Sequence, residues 1–231
     1  MIKHIFFDLD DTIFDFHKAE QIALKKTLEY FGAPSDADIL NKYHEINIAH
    51  WKRLERGELT REQVKVGRYE TLFREIGINN IDARSVTKYY ESVLAIGHYF
   101  IDGAPQMLDS LFQKYSLYLV SNGAKEVQDS RLRSSGIEKY FKAIFISETV
   151  GFDKPDKRFF EKCFSQIPDF NKSEAIIIGD SLTSDISGGK NCGIKTVWFN
   201  SNNAENGTEI APDFEIHNLS EIISLLEKIN A

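Results

Sequence analysis

Cysteine is scarce in this chain: of 231 residues only Cys163 and Cys192 carry thiols, far apart and without a CxxC pair. A disulfide framework or a zinc site is thereby disfavoured, and packing is the expected role of both. Long apolar runs are lacking too. No stretch approaches the ~18 uninterrupted apolar residues of a membrane-crossing helix. The N-terminus has one lysine and then a short apolar run broken by Asp8, Asp10 and Asp11, which is not a signal-peptide pattern. The expected setting is cytoplasmic, as a monomer or a homodimer. An excess of positive charge is also absent: 28 basic against 35 acidic residues give a net charge of -7. That balance argues against a nucleic-acid polymer or a membrane surface as partner. It leaves room for one cationic pocket that takes a small anion. The six histidines are scattered with no pair at metal-ligand spacing, and His44 and His50 read as structural or exposed. No internal repeat or low-complexity tract is present.

What is present suffices for a large core. With 42% hydrophobic residues, one domain plus a sizeable insertion fits the length better than two independent domains. Residues 3–8 read as a buried strand, because Ile5, Phe6 and Phe7 are continuous rather than alternating. Residues 117–120, 143–146, 175–178 and 196–199 read the same way. Apolar residues at helical spacing predict helices over 104–115, 124–135, 156–166, 183–192 and 219–229. Strand and helix in alternation imply right-handed crossovers and a doubly wound, Rossmann-like α/β fold with a parallel sheet.

Residues 17–99 break that rhythm and read as nearly all helix. Ala19, Ile22, Ala23, Leu24, Leu28 and Phe31 form one stripe over 18–31. Ser35 is the expected N-cap of a helix over 36–57. Thr60 with Gln63 makes a capping box for the next helix, and 82–96 supplies a fourth. Such an insertion is expected to form a helical cap domain over the carboxyl ends of the strands, where ligands of open α/β sheets bind. Residues 1–16 and 100–231 would then form the core domain.

Four segments end an apolar run with polar groups suited to phosphate chemistry: Asp8 to Thr12, Ser121 to Gly123, Lys154 to Asp156, and Gly179 to Asp185. Carboxylates at a strand tip beside Ile and Phe are costly to fold unless their charge is compensated. A divalent cation and a lysine would do so. Asp8 and Asp10, two apart at a strand end, project to the same side. One carboxylate there can attack phosphorus and form an aspartyl-phosphate, while the other protonates the leaving oxygen and later activates water. Asp11 has no assigned role. Thr12 is expected to hydrogen-bond backbone or Asp10 and fix its rotamer. Asp180 can join Asp8 and the Asp10 carbonyl on a Mg²⁺ ion. Asp185 is expected to orient Asp180 or Lys154, or else to cap the next helix. The Ser121 hydroxyl, Asn122 and the turn amides suit phosphate oxygens. Lys154 can neutralise phosphate, and Pro155 is expected to start the next helix.

Taken singly, each of these residues has an ordinary structural reading. Their order is specific: Asp-x-Asp-x-Thr, Ser after a strand, Lys-Pro, then Gly-Asp-x4-Asp after a strand. It resembles the haloacid dehalogenase-like hydrolase superfamily. The resemblance implies Asp8 as nucleophile, Asp10 as general acid/base, Ser121 and Lys154 on the phosphoryl group, and Asp180 on Mg²⁺. Haloacid dehalogenases of that superfamily lack the second carboxylate of the first motif, so Asp10 favours a phosphatase. A finer similarity, to its bacterial pyrimidine 5′-nucleotidases, spans nearly the whole chain. It rests on Trp51, Gly57, Thr60, Gln63 and Gly67 to Glu70; on Ser121 to Gly123 with Gln128, Arg131 and Leu132; and on Ile146 to Gly151. Gly179, Asp180, Ser184 to Ile186, Gly188, Gly189 and Trp198 to Asn200 continue it. It implies a nucleoside monophosphate as the small phosphomonoester substrate. Phe16, Trp51, Arg68 and Tyr69 are candidates for the substrate pocket, by stacking or by an Arg contact. For Trp51 and Tyr69 the alternative is packing between cap helices. Rival readings are a phosphatase for a sugar phosphate or other small metabolite, a phosphomutase, a 2-haloacid dehalogenase, and a phosphoacceptor signalling module.

Overall fold

The computed structural model describes residues 1–231. Contacts divide the chain into two units, one of Met1–Phe16 with His98–Ala231 and one of His17–Gly97. The chain runs through β1 (His4–Phe7), α1 (Phe16–Tyr30), α2 (Ala37–Glu55), α3 (Arg61–Glu75), α4 (Ala83–Leu94) and α5 (Ala104–Leu111). It continues through β2 (Ser116–Ser121), α6 (Lys125–Ser135), β3 (Phe141–Ile146), α7 (Ser147–Val150), α8 (Lys157–Phe164) and β4 (Ala175–Gly179). It ends with α9 (Ser187–Cys192), β5 (Lys195–Phe199), β6 (Phe214–Ile216) and α10 (Glu221–Asn230).

The α/β unit is built on one six-stranded sheet of order β3-β2-β1-β4-β5-β6 with every neighbouring pair parallel. Alternate residues of β1, β2 and β4 feed two cores. Ile5, Phe7, Leu119 and Ile178 pack with Leu108 and Leu111 of α5 and Ile222 and Leu226 of α10. Phe6, Val120 and Ile177 pack with Phe159, Phe160, Cys163 and Phe164 of α8. Both faces are therefore covered, which is why the strands read as unbroken apolar runs. Both cysteines are free and buried. Burial pushes the Cys192 thiol up to about 11 and the Cys163 thiol higher still. The chain winds outward from β1 to β3 on one side and then crosses to β4 on the other. That reversal opens a crevice at the carboxyl ends of β1 and β4.

Several local expectations need correction. The edge strand β6 is an addition to the five expected strands; three residues with Glu215 exposed carry no strand pattern. The helix over 183–192 is in fact a π-helical turn, Leu182–Ile186, leading into α9. Pro155 does not start a helix. Asp156 is the N-cap of α8, accepting from Arg158 N, and the Lys154–Pro155 peptide is cis. In the helical unit the N-cap of α2 is Asp36, not Ser35, because the Asp36 carboxylate accepts from both Asp38 N and Ile39 N. The Thr60–Gln63 capping box is present at α3, and Asp82 caps α4.

The largely apolar interior of the helical unit encloses a polar cluster. Arg68 is buried, donates to Asn47 Oδ1 at 2.8 Å, and lies 5.8, 5.3 and 5.0 Å from the ring centres of Tyr43, Tyr69 and Tyr90. Burial pulls its charge down, but the three tyrosines and Glu20 outweigh that and leave it above its ordinary value. His50 is buried and bonded to Ile46 O at 2.8 Å, whereas His17 and His44 come together beside the buried Glu20. Their separation in sequence hides that contact.

Candidate active site

Strand ends place the chemistry. Asp8 comes directly after β1, and its amide donates to Ile178 O of β4 at 3.0 Å. The carboxylate is therefore fixed at the mouth of the crevice. Lys154, 1% exposed, donates to Asp8 Oδ1 at 2.5 Å, to Asp185 Oδ1 at 2.7 Å and to Val120 O at 3.1 Å. Three acceptors use the three ammonium protons. Burial pulls this ammonium down, yet the carboxylates of Asp185 and Asp8 together hold it above its ordinary value. Asp185 Oδ1 lies against the Lys154 ammonium, the contact that an orienting role would use. Asp185 Oδ2 accepts from Ser181 N at 3.2 Å, while Ser181, the N-cap of the π turn, accepts through its hydroxyl from Ser184 N at 3.2 Å.

Asp180 sits just beyond β4, its carbonyl held by Trp198 Nε1 at 2.8 Å. One oxygen each of Asp8, Asp180 and Asp185 lies within 4.8 Å of the others. Burial pushes the Asp8 carboxyl up, Lys154 pulls it down, Asp185 and Asp10 push it up, and the result is about 8. Asp180 is driven well above its ordinary value by enclosure first and then by Asp8, Asp185 and Asp11. Three carboxylates against one ammonium leave negative charge uncompensated. An all-oxygen donor set of this kind fits a hard divalent cation such as Mg²⁺.

Asp10 faces another way. Its Oδ1 accepts from Arg131 at 2.5 Å and its Oδ2 from Gln128 Nε2 at 2.6 Å. Arg131 is fully buried, lies 5.0 Å from the centre of the Phe14 ring, and also donates to Gln128 Oε1 at 2.9 Å. Gln128 further donates to the Ser121 hydroxyl at 3.0 Å, which also accepts from Gly123 N at 3.0 Å. A methyl group on Gly123 would land on the Gln128 amide, so only glycine lets this network close. In the sequence, Gln128 and Arg131 enter through the family likeness without a role. Their helical i,i+3 spacing on α6 is the signal that they share a face.

Two placements differ from expectation. Thr12 donates to Asp180 Oδ1, at 3.4 Å, rather than to Asp10. The Asn122 side chain, expected on phosphate, bonds the Lys154 backbone through both ends: Nδ2 to Lys154 O and Oδ1 from Lys154 N, each 2.9 Å. It fixes the loop that delivers Lys154. Asp11, given no role, accepts from Phe16 N at 2.9 Å and so ties down the start of α1. Asp8, Asp10, Ser121, Asn122, Lys154, Asp180 and Asp185 are thereby brought together within the α/β unit. Arg68 and Tyr69 lie in the interior of the helical unit, where Tyr69 OH accepts from Tyr43 OH at 2.9 Å. Their burial there favours packing over an open base pocket. Trp51 is partly exposed, with the Arg61 guanidinium 6.0 Å from its ring centre. Phe16 is partly exposed at the start of α1.

Residues 5–199 match the haloacid dehalogenase-like hydrolase family. The chain is 40% identical to YfnB of Bacillus subtilis, described as a HAD-hydrolase, over 97% of this chain and 95% of the relative. A magnesium-bound crystal structure of YfnB superposes with a TM-score of 0.93, covering 97% of this chain and 98% of that one. Identity is 37% to the pyrimidine 5′-nucleotidase PynA of Streptococcus pneumoniae, over 98% of this chain and 95% of the relative. It is 29% to the pyrimidine 5′-nucleotidase YjjG of Escherichia coli, over 97% of both.

Proposed function

From the premise that this chain belongs to the haloacid dehalogenase-like hydrolases, we propose that it is a Mg²⁺-dependent phosphatase of nucleoside 5′-monophosphates acting through an aspartyl-phosphate. The observation that carries the reading is the pair of carboxylates at the end of β1, held in two different environments. Asp8 lies against Lys154 and the acidic cluster, while Asp10 is gripped by Arg131 and Gln128. A halide leaving group has no use for a second, separately positioned carboxylate; an alkoxide does. The pyrimidine 5′-nucleotidases among the relatives support the nucleotide as substrate.

In this mechanism Asp8 attacks phosphorus in line, forming the acyl–phosphate bond as the bond to the substrate oxygen breaks. Asp10 gives its proton to that departing oxygen. It then takes a proton from water, whose oxygen attacks the phosphorus, releasing inorganic phosphate and restoring the Asp8 carboxylate. Each Asp10 oxygen accepts one side-chain hydrogen bond, from Gln128 or Arg131, and keeps a second lone pair for proton transfer. Those two residues set where the carboxylate rests between turnovers. Lys154, on exchanging one of its three present acceptors for a phosphoryl oxygen, and the Ser121 hydroxyl hold the phosphoryl group, with Asn122 and Asp185 holding Lys154. Asp8, the Asp10 carbonyl and Asp180 would hold the Mg²⁺, which supplies positive charge against phosphate and Asp8. Phe16 and Trp51, both partly exposed, are the better placed of the substrate-selecting candidates.

Phosphate release from a panel of nucleoside monophosphates and sugar phosphates, with Mg²⁺ and with chelator, tests the proposal. Mg²⁺-dependent preference for UMP, dUMP or dTMP is the expected outcome. Preference for a sugar phosphate would overturn the substrate and keep the catalytic roles. Absence of phosphate release from every ester would overturn both.

A further inference from the structure

We infer that the helical unit carries a transition-metal site, of the class that takes Zn²⁺, built by His17 and Glu20 of α1 and His44 of α2. His17 and Glu20 are i,i+3 on one helix and so share a face. One donor atom from each of the three lies within 4.8 Å of the other two. A tetrahedral ion with bonds of ~2.1 Å places its donors ~3.4 Å apart, so small side-chain adjustments bring all three onto one centre. The two imidazoles already touch, edge to face, with ring centres 4.4 Å apart and planes at 75°.

The carboxylate is built in rather than incidental. Glu20 is 1% exposed. Its Oε1 accepts from Asn47 Nδ2 at 2.6 Å, and Asn47 Oδ1 in turn accepts from Arg68 at 2.8 Å. That chain of contacts leaves Oε2 directed at His44 Nδ1, 2.5 Å away. His17 Nε2 lies 3.0 Å from the Gln21 amide. Fixing one carboxylate oxygen through a second layer of polar groups is how ligands are oriented around metals. In the metal-free protein a proton bridges His44 and Glu20; the metal takes its place. His17 is exposed, so a fourth position opens to solvent.

The donor set decides the ion. Two imidazoles and a carboxylate suit Zn²⁺, Co²⁺ or Ni²⁺, whereas the all-carboxylate cluster of Asp8, Asp180 and Asp185 suits Mg²⁺. The two sites can therefore be loaded separately, and this inference does not depend on the phosphatase proposal. Chelator-stripped protein would be saturated with Mg²⁺ and titrated with Zn²⁺ by calorimetry and with Co²⁺ by visible absorption. One equivalent of Zn²⁺ is expected, with Co²⁺ showing the bands of a tetrahedral nitrogen–oxygen site. His17→Ala and His44→Ala should each weaken binding by more than ~10-fold, with phosphate release unchanged in His17→Ala. Should His44→Ala fail to fold, His17→Ala, at an exposed position, decides the matter. No binding to the wild type, or binding that survives both histidine variants, would overturn the site.

Discussion

Asp8 and Lys154 form a contact whose strength depends on a third residue, Asp185, that touches no expected substrate atom. Lys154 uses its three protons on Asp8, Asp185 and Val120 O, so its position is determined from three directions. Asp8→Asn is therefore expected to abolish phosphate release while the fold survives. Lys154 keeps Asp185 as counter-charge, and the amide is isosteric. Circular dichroism with a phosphate-release assay checks both halves, and turnover in the folded variant would remove Asp8 as nucleophile. Gly179→Ala is the sharper test of the support. A methyl there lands on the Asp185 carboxyl and pushes it off Lys154. A stability loss of ~1–3 kcal/mol, the usual effect of overpacking, should appear in the denaturation midpoint together with weakened activity. Stability equal to the wild type would mean that Asp185 is free to move and does not hold Lys154.

At the scale of elements, the polar residues at the strand tips assemble the site. Asp8 comes directly after β1, Ser121 ends β2, and β4 leads through Asp180 into a π-helical turn that carries Asp185 inward. These tips are legible because a covered parallel strand writes a continuous apolar run and the next polar residue marks its end. The π turn is not legible, since its apolar spacing differs from an α-helix by one residue. Gln128 and Arg131 lie on a helix whose extent is readable, yet their partner is invisible, because Asp10 is distant in sequence. The helical unit offers a clean test of local reasoning. Thr60 and Gln63 satisfy each other's backbone amides at the start of α3. Thr60→Ala should cost ~1 kcal/mol, read as a lower thermal midpoint with phosphate release unaffected where Thr60 has no substrate role.

The whole molecule carries an electrostatic imbalance centred on the acidic cluster. The ordinary carboxyl value is 3.8, whereas Asp8 is raised to about 8 and Asp180 well above its own. Between those values the folded protein holds protons that the unfolded chain has released. Unfolding free energy must then fall as pH rises from about 4 to 8 in chelator. Mg²⁺ bound as proposed would compete with those protons, so its stabilisation should grow over the same window, reaching ~2.7 kcal/mol when its concentration is about 100 times its dissociation constant. Thermal melts with Mg²⁺ and with chelator at pH 6 and pH 8 check this. Equal Mg²⁺-induced shifts at both pH values would place the ion away from Asp8 and Asp180.

The amino-acid sequence alone determined the elements whose signals are local: five covered strands, the helical insertion, the Thr60 capping box, and the order of polar residues at strand tips. Those signals survive because hydrophobic period and capping act over a few residues. Only the tertiary structure decided the pairings between distant residues. It turned Asn122 onto the Lys154 backbone, gave Asp10 to Arg131 and Gln128, moved Thr12 to Asp180, buried Arg68 among tyrosines, and joined His17 to His44. Each is a contact between groups that the sequence separates, settled by which strand ends and helix faces the fold brings within hydrogen-bonding reach.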